Sequence, residues 1–250
     1  MSDNELTITG GRLRLYIEAP LALGAVVTPD DAQVHYLLNV MRAKGGDRIS
    51  LFNGRDGEWL ARVAAVAKRS CSLECEQNTV AQAEVPDIWF CFAPIKKTPS
   101  DYVVQKATEL GASVLQPVFT RRTIVSRVNA ERMRANAIEA AEQSGRLSVP
   151  DVREPLDFDK MMASWPQERR LIFCDEGGDA RPIAEALRRL PDSPFAIMIG
   201  PEGGFDPAER VALRVASFVT PVSLGTRILR ADTAALAALA IWQTVRGDWR

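Results

Sequence analysis

Residues 195–209 read Phe195-Ala196-Ile197-Met198-Ile199-Gly200-Pro201-Glu202-Gly203-Gly204-Phe205-Asp206-Pro207-Ala208-Glu209. The first five are apolar without alternation, as expected of a strand covered on both faces in a parallel sheet. Pro201 suits the second position of a tight turn and Gly203 the fourth, and two adjacent glycines let the backbone approach a ligand with no Cβ in the way. Asp206 can cap a helix, Pro207 suits its first position, and Glu209 can bond back to the cap. Strand, glycine turn and helix form the repeating unit of an open α/β sheet, which binds ligands at the carboxyl ends of its strands. A plain strand–helix connection would leave the same trace, so the two readings stand side by side.

Outward from this stretch the same alternation runs back to Asp87. Ile88–Ala93 is an apolar run. Thr98, Pro99 and Asp101 then predict a capped helix start, with Val103, Ala107 and Leu110 on one face and Gly111 as the stop. Val114–Val118 reads as a strand, and a helix near Glu131–Ser144 ends at Gly145. Leu171–Cys174 and Phe218–Leu224 are further strands. A final helix from Thr233 to Val245 is apolar nearly all round and is expected to be buried or to lie at a subunit interface.

Residues 12–80 have a different texture. Arg12–Ile17, Arg48–Phe52, Trp59–Val66 and Ser70–Glu76 are short alternating runs, Asn53-Gly54 and Asp56-Gly57 supply turn chemistry, and Val34–Arg42 is a lone helical segment. This predicts a small β-barrel over 1–80 and an α/β domain over 87–250, joined by the polar, proline-ended stretch Ala81–Pro86.

Composition narrows the chemistry. With 46% hydrophobic and 25% charged residues the chain is expected to be an ordinary soluble protein. The net charge of −1 exerts no overall pull on nucleic acid, so any RNA contact must come from local patches. The opening ten residues lack an apolar signal core and no run approaches a membrane span, so a cytoplasmic, membrane-free protein is expected. Cys71, Cys75, Cys91 and Cys174 form no paired metal motif, and His35 is the single histidine. No metal is therefore expected, and triad hydrolysis is disfavoured for want of a base. No GxxxxGK or strand-borne GxGxxG is present.

A second aperiodic stretch, Leu224-Gly225-Thr226-Arg227-Ile228-Leu229-Arg230-Ala231-Asp232-Thr233, also follows a strand and precedes a helix. Either arginine alone reads as a solvated side chain. Two such loops at neighbouring strand ends suggest one shared pocket.

GPEGGF at 200–205, LGTRILRADTA at 224–234, KKTPSDYVVQKATELGA at 96–112 and AAEQSGR at 140–146 together resemble the RsmE family, as does HYLLNVMRAKGGDRISLFNG at 35–54. Those proteins methylate N3 of a uridine in the decoding region of 16S ribosomal RNA. Asp232 departs from the glutamate that many members carry. The resemblance implies a SPOUT-type α/β fold with a C-terminal trefoil knot, an N-terminal PUA-like β-barrel, S-adenosylmethionine as cofactor and a homodimer. It places the cofactor among Phe173, Cys174, Asp175, Glu176, Ile199, Gly200, Pro201, Gly203, Gly204, Leu224, Gly225, Arg227, Ile228 and Leu229, with Leu224, Ile228 and Leu229 as apolar walls.

Methyl transfer to a uracil N3 requires loss of its proton, and a guanidinium would stabilise the anion left on the ring. Arg230 is the candidate for that role. Glu202 is a weaker candidate for proton acceptor or cofactor orientation, and a loop-bracing carboxylate bonded to backbone amides is the competing reading. Between Lys96 and Arg134 eight basic residues face three acidic ones. Lys96, Lys97, Arg121 and Arg122 are candidate phosphate contacts, extended into the barrel by Arg12, Arg14, Arg42 and Lys44, with Gln143 and Arg146 beside the target base. The alternatives are a SPOUT enzyme for another RNA site or a ribose 2′-hydroxyl, and a non-enzymatic ribosome-assembly factor. A metabolic enzyme with a small acceptor comes last.

Overall fold

A computed structural model describes residues 7–8, 11–177 and 179–249, without the side chains of residues 7, 8, 11, 12 and 97–99. The side chains of Arg12 and Lys97 thus lie outside the described residues. The chain divides into two compact units, residues 1–84 with 141–149, and 85–140 with 150–250.

The first unit contains β1 (Thr7–Ile8), β2 (Gly11–Arg12), β3 (Arg14–Tyr16), β4 (Val26–Val27), α1 (Asp31–His35), β5 (Arg48–Phe52), β6 (Glu58–Ala67) and β7 (Ser70–Val80). β1 pairs with β2, and the rest form a five-stranded sheet in the order β3-β5-β6-β7-β4. Its inward residues, among them Leu15, Ile49, Leu51, Val63 and Leu73, are buried with Leu13 and Leu37 in one core. The turn between β5 and β6 places Phe52 opposite Glu58, with Gly54 and Gly57 both at positive φ, as the two glycine dipeptides predict.

The helical segment differs from the sequence reading at both ends. It begins at Asp31 under a reciprocal cap between Asp30 and Gln33, then widens into a π-helical turn over Tyr36–Val40. A glutamine completes this cap as well as a glutamate would, and it lies ahead of the apolar run that marks the helix.

Residues 141–149 join this unit through one side chain. Arg14 lies across Phe52 and donates to Glu58 at 2.7 Å, to the carbonyls of Ala141 at 2.7 Å and Glu142 at 3.1 Å, and to that of Arg146 at 2.9 Å. These carbonyls belong to a helix end and the residues just past it, where no intrahelical donors remain. A boundary at residue 80 omits this segment, because the pairing spans more than 120 residues of chain.

The second unit contains β8 (Ile88–Phe92), α2 (Lys97–Glu109), β9 (Val114–Phe119), most of α3 (Ala130–Ser144), β10 (Asp151–Val152), β11 (Leu156–Asp157), α4 (Phe158–Ala163), β12 (Arg170–Cys174), β13 (Arg181–Pro182), α5 (Ile183–Arg189), β14 (Phe195–Ile199), α6 (Pro207–Val215), β15 (Val219–Ser223) and α7 (Ala231–Val245). The sheet is parallel throughout, in the order β10-β9-β8-β14-β12-β15-β13 with β11 beside β9. All five residues of β14 are buried, which accounts for its unbroken apolar run. Burying side chains of this kind contributes about 1.5–3 kcal/mol each.

Helix α2 starts two residues before the expected place. Lys96 occupies the cap position with no side-chain bond, and the Asp101 carboxylate turns outward to Arg132 and Asn136. The buried Ser100 hydroxyl closes the turn instead, accepting from the Ile95 amide at 3.2 Å and donating to its carbonyl at 2.7 Å. Helix α7 packs on α2, α5 and β14, and its buried Gln243 donates to the Leu110 carbonyl at the end of α2. One face of α7 is buried; the side chains of Leu236, Ala237 and Ile241 remain half-exposed. No helix among the described residues is long and apolar enough to cross a membrane.

Candidate active site

Three neighbouring strands set the site. β12 lies between β14 and β15, and all three run parallel, so Cys174, Ile199 and Ser223 end at the same edge. The loops that follow therefore leave side by side: 175–177, 200–206 and 224–230. The two aperiodic stretches, separated by some twenty residues of helix and strand, meet there through a topology that alternation alone does not specify.

The central loop is a tight turn closed by the Gly204 amide donating to the Pro201 carbonyl at 2.9 Å. Gly204 has φ +68°, and a Cβ there would collide with the Glu176 carboxylate. At Gly200 a Cβ would press on the Phe205 ring, whose edge meets Phe173 in the core. Asp206 and Glu209 form the expected reciprocal cap, which fixes where α6 begins.

The first loop rests on an ion-pair cluster. Asp175, its side chain 1% exposed, accepts from Arg210 at 2.8 Å and Arg214 at 2.6 Å, and from the Gly177 amide at 3.1 Å. Arg214 also pairs with Asp179. Burial alone would raise the Asp175 carboxyl, but the two guanidiniums and the amide outweigh it and hold it below the ordinary carboxylate range. The carboxylate is thereby committed to the protein, and so is the Asp175 amide, which donates to the Val222 carbonyl at 2.9 Å. Arg210 and Arg214 share a helix face by their spacing of four, but nothing in the sequence names Asp175 as their partner. The Cys174 thiol is pushed up to about 12 by burial, which makes it inert as a nucleophile.

The third loop faces solvent. Ile228 is 84% exposed and Leu229 half-exposed, so the expected apolar wall at Ile228 lies largely open to solvent. Among the described residues the amides of 226–229 make no backbone hydrogen bond, and Gly225 at φ +115° has open space where a Cβ would stand. Unspent amides beside glycine at a strand-end edge suit a polar, planar ligand edge, and Leu224 and Leu229 can cover an apolar part. These residues fit S-adenosylmethionine. Arg230 sits exposed at the start of α7 and Glu202 exposed on the central turn, and neither has an ion pair among the described residues. Among the described residues Glu202 has no hydrogen bond to a backbone amide, and the turn is closed by Pro201 and Gly204.

The RNA candidates divide. Arg42, at φ +55°, Lys44 and Lys96 are exposed, as are Arg121, Arg122 and Gln143. Arg14 differs from these: its side chain is 11% exposed and its guanidinium donates to internal acceptors. Arg146 is half-buried and lends its carbonyl to Arg14. Within the basic run, Lys106 pairs with Glu109, Arg132 with Asp101 and Arg121 with Asp206, which lowers its free charge.

The RNA methyltransferase domain family matches residues 82–243, and the RNA methyltransferase PUA domain family matches residues 29–75. The chain is 31% identical to the ribosomal RNA small subunit methyltransferase E of Rickettsia conorii, covering 91% of this chain and 93% of that one. The chain belongs to the RsmE family. A Synechocystis protein of the same name is 34% identical over 91% of this chain and 76% of its own length. The RsmE structure from Neisseria gonorrhoeae, bound to S-adenosyl methionine, superposes with a TM-score of 0.83 at 31% identity, covering 95% of this chain and 99% of that one. As an RsmE member the chain is an RNA methyltransferase with an α/β catalytic unit and a PUA domain.

Proposed function

We propose that this protein transfers the methyl group of S-adenosylmethionine to N3 of a uridine in the decoding region of 16S ribosomal RNA, within the assembled small subunit in the cytoplasm. The observation that carries the reading is the convergence of the glycine turn and the arginine-bearing segment at one sheet edge, on either side of β12.

Bound S-adenosylmethionine supplies an electrophilic methyl carbon whose departing thioether is neutral, so the chain's work lies with the acceptor. Backbone groups of 200–204 and 224–229 hold the donor. Arg230, exposed at the start of α7, offers its guanidinium to the negative charge that develops on the uracil carbonyls as N3 loses its proton. Glu202, exposed on the turn, is the candidate acceptor for that proton. Arg42, Lys44, Lys96 and Arg121 position the RNA through its phosphates, and Gln143 assists at the base.

The path of the chain supports a SPOUT-type knot. β15 lies beyond β12, whereas α7, which follows it directly, packs on β14, α2 and α5, so the chain has to return across the end of β12. The half-exposed apolar face of α7 supports a homodimer.

The test is methylation of small subunits from a strain lacking this gene, followed by nuclease digestion and mass spectrometry of the modified nucleotide. A single 3-methyluridine in the decoding region is expected. A 2′-O-methyl ribose, a methyl group elsewhere, or no incorporation would overturn the reading.

A further inference from the structure

The loop after β9 is tied to the glycine turn by a set of bonds that the reaction as described does not use. Thr120 and Thr123 close that loop on itself, with the Thr123 amide on the Thr120 carbonyl at 3.0 Å and the Thr120 amide on Thr123 Oγ1 at 3.0 Å. The Arg121 amide donates to Glu209 Oε1 at 2.8 Å, and the other oxygen of Glu209 accepts from the Asp206 amide at 3.1 Å. A carboxylate on a residue only 3% exposed thus bridges the loop to the start of α6.

From this fixed base Arg122 reaches over the turn, and its Nη1 donates to the Gly203 carbonyl at 3.0 Å. The peptide between Gly203 and Gly204 is consequently held at both ends: its carbonyl by Arg122, its N–H by Pro201. A peptide flanked by two glycines has no Cβ to resist rotation, so without the guanidinium a single hydrogen bond would keep it from flipping. We propose that Arg122 is a positioning residue for methyl-donor binding, one that keeps this peptide in the orientation the donor meets. It therefore acts through the turn, whereas the sequence suggested a phosphate contact. The inference rests on the proposed function for the identity of the ligand, but not for the orientation of the peptide.

The experiment compares wild type with R122A and R122K by amide hydrogen exchange of the turn in the ligand-free protein, thermal melting, and calorimetric titration with S-adenosylmethionine. In R122A the turn amides are expected to exchange faster and donor affinity to fall about tenfold or more, the usual effect of losing a charge-assisted hydrogen bond. The melting temperature should stay close to wild type, because the side chain is exposed, and R122K should recover most of the affinity by donating to the same carbonyl. Unchanged exchange and affinity in R122A would overturn the proposal. So would an affinity loss matched by general unfolding, or an R122K variant no better than R122A. If wild type itself ignores the donor, the proposed function fails instead, while the exchange measurement still decides whether Arg122 holds the turn.

Discussion

The Glu176 carboxylate occupies the space into which a side chain at Gly204 would project, so the loops after β12 and β14 are fitted to each other at that point. Gly204 also has φ +68°, a conformation that costs an L-residue about 1–2 kcal/mol. A Cβ at Gly203, in contrast, would meet only atoms of the Arg122 side chain, at ordinary contact distances of 3.8 and 3.9 Å. Gly204→Ala should therefore lower the melting temperature by roughly 2–8 °C, and Gly203→Ala by much less. Differential scanning calorimetry of the two variants checks this, and equal losses would contradict it.

The Asp175 cluster makes stability depend on pH. Its carboxyl is held below the ordinary range in the folded chain, so its contribution is complete above the unfolded value of about 3.9 and fades as pH falls through the folded value. Asp175→Asn should cost about 2–4 kcal/mol at neutral pH, less than a fully buried pair because both arginines reach solvent. Denaturant titrations of the two proteins should converge as pH drops from 5 toward 2. A gap that stays constant would show that the charge is not the source.

The roles proposed for Arg230 and for the backbone of 200–204 and 224–229 are separable. Arg230→Ala should reduce turnover on small subunits by about 10²–10³, the range seen when one donor to a developing anion is lost. Donor affinity by calorimetry should change little. A variant with normal turnover would remove Arg230 from the chemistry.

Two kinds of arginine in the first unit should behave differently. Arg14→Ala strips donors from the end of α3 and is expected to destabilise the protein by about 2–4 kcal/mol without altering the salt dependence of RNA binding. Arg42→Ala, at an exposed residue, should leave stability nearly unchanged and reduce the slope of log affinity against log salt by about one. Filter binding across a salt series, paired with melting curves, reads both.

Most elements of the α/β unit were legible one at a time. The run Phe195–Ile199, the cap Asp206–Glu209 and the glycine stops at 111 and 145 follow from local rules that operate within a few residues. A local capping rule starts α2 two residues late, because the Asp101 carboxylate pairs with Arg132, thirty-one residues away, about which such a rule contains no information. Arg14 read as a surface charge for the same reason: its acceptors lie on a helix end more than 120 residues further along.

By itself, the order of residues determined which stretches could be strand, turn or helix, and that two loops lacked any periodic purpose, because hydrophobic spacing and turn chemistry act over single elements. Only the tertiary structure decided that those loops flank one strand, that Asp175 answers Arg210 and Arg214, and that Arg122 reaches the Gly203 carbonyl. Those relations depend on strand order and on side chains meeting across distant segments, and a parallel sheet can be threaded in many orders from the same alternating pattern.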